Sequence, residues 1–424
     1  MTTAEKPQSA AWFCVLLLFP VALLNYLDRQ MLATMKTSVM HDIPSIINQE
    51  NWGMLLGMFK WTYAIVSLFV GIIALRVGHV RLIAVSLFVW SLTTWATGHC
   101  QTYHQLLIVR GLMGFSEACY IPTALAFIAT IHMGDSRSKA VGLHQIGIYS
   151  GVILGAFSGY AADVPQLGWR GAFSVAGYIG IIYAIPLYFL LGKYSRRLAT
   201  QKKDGEISDN GSGFQGLIQW SFVLMILYFT LPALAGWVIR DWMPAIIKTR
   251  FNMSQGAAGV NAVLYFQCAA IASAMLGGWI ADRWVKRNIR GRIYTSAIGM
   301  SLLVPALIAV GIATGEGSSM PMSTALSLCI GGLILFGCGW GFFDCNNMPI
   351  LCQIMPASSR ATAYGILNFF SISCGGLADW LFGVLKDRQV SNETIFTIFG
   401  LVSVISVVLI LFVRPRTATS SLQS

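Results

Sequence analysis

Arg110 and Glu117 stand seven residues apart in a stretch that is otherwise apolar from about Tyr103 to Ile131. On a helix that spacing is roughly two turns and about 10 Å of rise, so both side chains share a face. A charge at membrane depth is costly and is retained for pairing, ion movement or ligand binding. Burial disfavours the charged form of a carboxyl, and a carboxyl so placed can accept a proton on one side of a barrier and release it on the other. Glu117 therefore reads as a proton-handling group, with Arg110 setting the field around it. The competing reading is a structural carboxyl permanently bonded to a neighbouring helix.

Other polar residues interrupt apolar runs in the same way. Asp28 can pair with Arg110 and can itself titrate, or Asp28, Arg29 and Arg110 form a purely structural network. Lys60, within Met58–Tyr63, lies too far from either end of its run to snorkel, so it faces a cavity and contacts an anion or counters an acid. His144, Gln145 and Tyr149 lie within about one turn on overlapping faces and suit hydroxyl recognition; a lone intramembrane His serves equally as a helix–helix contact. In the second half Tyr265, Gln267, Asn346, Asn347 and Asn368 are polar within apolar runs, and Pro349 beside the two asparagines suggests a bent helix lining a cavity. Tyr63 and other aromatics could stack on a ligand. Asp344 is either a second titrating group or a partner for Arg240, and Asp379 reads as a helix-end residue.

The elements that position these groups must cross a bilayer. Of the 424 residues 56% are hydrophobic and 11% charged, against about 25% charged in a soluble domain. The formal charge of +11 would suggest nucleic acid in a soluble protein; here the placement of the charges matters more. The nine cysteines are scattered without Cys-x-x-Cys or Cys/His ligand spacing, so no metal site, cofactor or disulfide framework is indicated. The N-terminus lacks the pattern of a cleaved signal peptide. Apolar runs long enough to span roughly 30 Å fall near 11–35, 52–75, 80–98, 103–131, 139–162 and 170–192, then near 215–238, 256–281, 293–314, 324–352, 357–382 and 394–413. This predicts an all-α integral membrane protein of twelve transmembrane helices in two six-helix bundles, 1–192 and 214–424, joined by a flexible linker over 193–213. With the N-terminus inside, segments assigned to the inside hold eighteen Lys and Arg against six outside, which places both termini in the cytoplasm. Arg29, Lys60, Arg110 and Arg240 lie within or at the edge of spans. A weak repeat at an offset of 207 residues relates Gly71–Arg76 to Gly278–Arg283. Gly147, Gly151, Gly155 and Gly159 recur every four residues, a stripe that permits close helix packing.

On these residues the sequence resembles the major facilitator superfamily over essentially its full length. Gly278-x-x-x-Asp282-Arg283 is similar to that superfamily's loop signature; the first-half copy has Leu75 where an acid is usual. Asn25-Tyr26-Leu27-Asp28-Arg29, Arg110-x-x-x-Gly114-x-x-Glu117-Ala118, Gly168-Trp169-Arg170 and Asp241-Trp242-Met243-Pro244 resemble the anion:cation symporter family, which includes sugar-acid permeases, sialin and the vesicular glutamate carriers. The resemblance implies that Glu117 couples protons, that Arg29 clamps a substrate carboxylate with Tyr26 beside it, and that Gly71, Arg76, Gly278, Asp282 and Arg283 belong to gating loops. The expectation is alternating-access symport of a small organic anion, a sugar acid, with protons or with sodium. The partners are then that small molecule and the bilayer, with no nucleic acid, the protein acts as a monomer, and the location is the bacterial inner membrane. The Arg-x-x-x-Gly-x-x-Glu-Ala run also resembles Spinster-type lipid carriers, so a lipid or drug carrier is the alternative. A membrane enzyme or a non-transporting sensor is disfavoured, because no nucleophile–base set, phosphate loop or signalling domain stands out.

Overall fold

In hydrocarbon every backbone N–H and C=O must be satisfied within the protein, so long apolar runs fold as helices. The computed structural model describes residues 5–132, 135–201, 217–315 and 320–415, and among them there are fifteen α-helices, one 3-10 turn and no strand. They are α1 (Glu5–Thr34), α2 (Lys36–Asp42), α3 (Gln49–Ser67), α4 (Val70–Val77), α5 (His79–Thr97), α6 (Tyr103–Ala118), α7 (Tyr120–Ile131), α8 (Asp135–Asp163), α9 (Gly168–Gln201), α10 (Trp220–Phe251), α11 (Gln255–Val285), α12 (Gly291–Thr314), α13 (Met322–Ile354), α14 (Arg360–Asp387) and α15 (Asn392–Phe412). Eleven spans among the described residues are long and apolar enough to cross a membrane, α6 and α7 counting together as one. The pair α3 and α4, bent by 61°, makes a twelfth when taken as one span. The outward faces are apolar, with Ile182, Phe189, Leu401 and Phe412 exposed; on a soluble domain such a surface would aggregate. Chain contacts divide the protein into two units, Met1–Ile207 with Met253–Val260, and Ser208–Asn252 with Asn261–Ser424.

The structure departs from the sequence reading at three boundaries. The run 52–75 breaks after Ser67. The Ser67 hydroxyl bonds back to Ala64 O at 2.7 Å and Phe69 N–H reaches only to Val66 O, a tightened turn that hydropathy cannot register. The linker read at 193–213 begins as helix, since α9 runs to Gln201 through Lys, Arg, Leu and Ala, all good helix formers; residues 202–213 lie outside the described residues. The run read at 215–238 does not stop there: α10 includes Asp241–Pro244, continues to Phe251 and ends at Asn252 in the left-handed region (φ 50°).

In the first unit α8 lies along α1 through the glycine stripe. A Cβ on Gly147 would come 2.9 Å from Phe19 O, on Gly151 2.2 Å from Leu23 O, and on Gly155 2.5 Å from the Gln30 side chain. Gly151→Ala should therefore force the two backbones apart, costing about 1–3 kcal/mol and visibly lowering the thermal unfolding midpoint. Gly142→Ala on the same helix meets nothing within 4 Å and should be neutral or slightly stabilising. At the other end of α2, the Trp169 indole donates to Asp42 at 2.8 Å and Arg170 bonds Gly98 O and Cys100 O. His41, with the Trp169 N–H and Arg170, holds the Asp42 carboxyl below the usual carboxylate range.

Two arginines near the starts of α8 and α14 make matching contacts. Arg137 donates to the carbonyls five and eight residues before it, His132 and Ala129, at 3.3 and 3.2 Å. Arg360 does the same to Met355 and Cys352 at 3.3 and 3.1 Å. Each closes the C-terminal carbonyls of the preceding helix.

Candidate functional site

The charged residues of the first unit converge between α1, α3, α5 and α6. Arg29 Nε donates to Glu117 Oε2 at 2.6 Å, and Arg29 Nη2 donates to Asn25 Oδ1, one turn earlier on α1, at 3.1 Å. Glu117 is fully buried (0% exposed) and its second oxygen has no hydrogen-bond partner. The Arg29 guanidinium carbon lies 4.7 Å from the centroid of Tyr26, 5.0 Å from Phe59 and 4.8 Å from Tyr63. The Arg110 guanidinium covers the same Phe59 ring at 4.4 Å and its Nη1 meets Met113 Sδ at 3.0 Å. Phe59 thus serves two cations, which a ring quadrupole stabilises without neutralising them. Asp28, also buried, lies with Oδ2 at 2.8 Å from Thr94 Oγ1, and that hydroxyl is 2.9 Å from Trp90 O. Glu117, Arg110 and Arg29 act electrostatically on Asp28, and both arginines act on Glu117. The arrangement brings two acids and two guanidiniums together, with Asp28, Arg110 and Glu117 buried, Arg29 half-buried and the buried cation Lys60 on α3.

The Glu117 carboxylate on α6 takes Arg29 from α1, while Asp28 meets Thr94 on α5 and feels the charge of Arg110. Lys60 is buried on α3 next to Phe59. Phe59 and Thr94 had no signal in the sequence, being an ordinary apolar residue and an ordinary helix threonine; Asn25 stood in a quoted motif without a role.

The remaining candidates are placed elsewhere. His144 is buried on α8 with Nε2 2.9 Å from the Tyr120 hydroxyl, the helix–helix contact that was one of its two readings. Gln145 is half-buried, and half-buried Tyr149 packs against the same apolar cluster as Tyr120. In the second unit Gln267 is buried with Oε1 unbonded, Asn347 is buried, Asn368 is half-buried and Tyr265 is exposed. Asn346 is occupied, donating to Phe342 O at 3.0 Å and facing Arg292 at 3.4 Å. Asp344 is exposed on α13 and feels the charge of half-buried Arg240, which covers Trp237 at 5.4 Å. Asp379 is not a helix-end residue: it is fully buried on α14, eight residues before the last. In the loop signature Asp282 pairs with Arg292, while Arg283 stacks on Trp279 at 3.8 Å. Gly71 and Gly278 border open space, and Arg76 is exposed.

The sequence profile of the Major Facilitator Superfamily matches residues 18–378, which takes in the whole charged cluster. The chain belongs to the major facilitator superfamily. It is a multi-pass membrane transporter of that superfamily, with its fold. It is 26% identical over 420 residues to a protein of Escherichia coli K12 named as a probable L-galactonate transporter, covering 95% of this chain and 88% of that one. It is 25% identical over 401 residues to a probable galactarate/D-glucarate transporter of Bacillus subtilis 168, covering 87% and 84%. Among solved structures, a bacterial homologue of the human lysosomal transporter Spinster superposes with a TM-score of 0.73 at 17% identity, covering 97% and 96%.

Proposed function

We propose that this superfamily member moves a sugar acid together with a proton by alternating access, with Arg29 as the carboxylate clamp and Glu117 as the proton carrier. The observation that carries the reading is the 2.6 Å contact between Arg29 and fully buried Glu117, walled by the rings of Tyr26, Phe59 and Tyr63. When Glu117 takes a proton it no longer holds the guanidinium, whose two parallel N–H groups then match a substrate carboxylate. Anion and proton together add no net charge to the site. The coupling is reciprocal: the proton raises affinity for the anion by the factor with which the anion raises affinity for the proton.

Asp28 fits a second titrating role. The single Thr94 hydroxyl proton faces two acceptors, Asp28 and Trp90 O; both contacts become hydrogen bonds only when Asp28 supplies a proton of its own. Lys60, Tyr63 and Tyr26 are the proposed contacts for the rest of the substrate in the first unit, and in the second unit Gln267, Asn347 and Asn368 are separate candidates. The halves 1–192 and 214–424 are the bodies that alternate, in a bacterial inner membrane with both termini in the cytoplasm. The names of the relatives support the substrate class, and the basic residues of the inside-assigned segments support the orientation.

A second reading, a Spinster-like lipid carrier, is favoured by the Arg110–Ala118 run and by the fold match. Proteoliposomes offered labelled L-galactonate, D-glucarate, a neutral hexose and a lysolipid, with and without a pH gradient, separate the two. The expected result is uptake of a sugar acid, stimulated by external acid, with none of the neutral hexose. Lysolipid movement without sugar-acid uptake replaces this reading with the second, and uptake that follows sodium at constant pH replaces the proton.

A further inference from the structure

Helix α1 carries the whole Asn25–Arg29 segment, and it contains Pro20 about two turns before Asp28. A proline inside a helix removes one N–H from the ladder and opens the turn before it. In hydrocarbon such a weakened turn is held by contacts from neighbouring helices. Pro20 leaves Leu16 O without its helical donor, and two tyrosines from two different helices brace the two carbonyls that follow it: Tyr183 on α9 donates to Leu17 O at 2.8 Å, and Tyr120 on α7 donates to Leu18 O at 3.1 Å. Tyr120 is fully buried, its ring edge against Trp90 at 5.4 Å between centroids, and His144 Nε2 lies 2.9 Å from its oxygen. With the phenol proton given to Leu18, the imidazole must be the donor in that contact, which assigns the proton to Nε2. Nδ1 of His144 is buried without a partner, so a second proton there would find no acceptor. His144 is thus a fixed neutral donor, neither a sugar ligand nor a proton relay.

We infer that Tyr120, Tyr183 and His144 are positioning residues that set the angle of α1 at Pro20 and so aim Arg29 at its carboxylate. The leverage is geometric. Nine residues separate Pro20 from Arg29, about 13 Å of helix, so a change of about 5° at the hinge moves the guanidinium by about 1 Å, enough to spoil a two-point hydrogen-bond match. The inference rests on the clamp role proposed for Arg29, yet the hinge itself can be tested without it.

The experiment compares Y120F/Y183F, H144Q and H144L with the wild type in two measurements. The first is hydrogen–deuterium exchange over residues 15–30 of the purified protein. Exchange should rise there in Y120F/Y183F while the rest of the first unit and the thermal midpoint stay near wild type. Unchanged exchange overturns the hinge whatever the substrate is, and a rise across the entire unit with a matching loss of midpoint reduces it to packing and overturns it too. The second is sugar-acid uptake. KM should rise about 5- to 20-fold in the double variant and in H144L, H144Q should restore it by keeping an N–H donor, and the pH profile should not move in any of them. A shifted pH profile in H144Q makes His144 a proton relay and overturns its assignment as a fixed donor. Failure of the wild type to carry any carboxylate sinks the clamp reading, and the exchange data then stand alone on the hinge.

Discussion

Glu117→Gln will abolish accumulation of substrate against its gradient under an imposed pH difference, while exchange of labelled for unlabelled substrate continues. Glutamine keeps the shape of the protonated acid and removes its charge, so Arg29 loses its 2.6 Å counter-ion permanently and stays available to a carboxylate. A difference of one pH unit stores about 1.4 kcal/mol per proton, which for one-to-one coupling sustains about a tenfold accumulation ratio. In the variant that ratio should fall to unity at every pH, and the affinity for the anion should stop depending on pH. The paired measurement matters because loss of both activities would indicate only a damaged protein. Accumulation that still follows the pH gradient would remove Glu117 from the coupling step and leave Asp28 as the carrier.

Arg29→Lys is expected to lower the ratio of maximal rate to KM for a carboxylate substrate by about 10- to 100-fold, although the charge is preserved. The lysine ammonium keeps the field of the site but cannot present two parallel N–H groups. It also cannot maintain the flat contact with Tyr26, Phe59 and Tyr63 that holds the guanidinium in place. A hydrogen bond to a charged group contributes about 1.5–3 kcal/mol, and one such bond is what the substitution removes. The effect should appear mainly in KM, read from initial uptake rates against concentration, and should be smaller for any neutral analogue that is carried. Unaltered kinetics with a sugar acid would sink the clamp.

The membrane class and the all-helical, many-span fold were legible in the amino-acid sequence. Each depends on sums over tens of residues, apolar content and run length. So was the short roster of costly residues, Asp28, Arg29, Arg110 and Glu117, because a charge in an apolar run stands out wherever its helix is packed. Which of them meet was a matter for tertiary structure alone. Helix register decides that Arg29 reaches Glu117, that Phe59 lies under two guanidiniums, and that Tyr120 meets His144. Register is set by contacts of a few tenths of an ångström, such as Gly151 against Leu23 O, and these depend on residues more than a hundred positions apart. The bend after Ser67 and the helical start of the segment at 193 escaped for the complementary reason: hydropathy reports whether a residue prefers lipid, and is blind to the backbone angle at which the chain enters it.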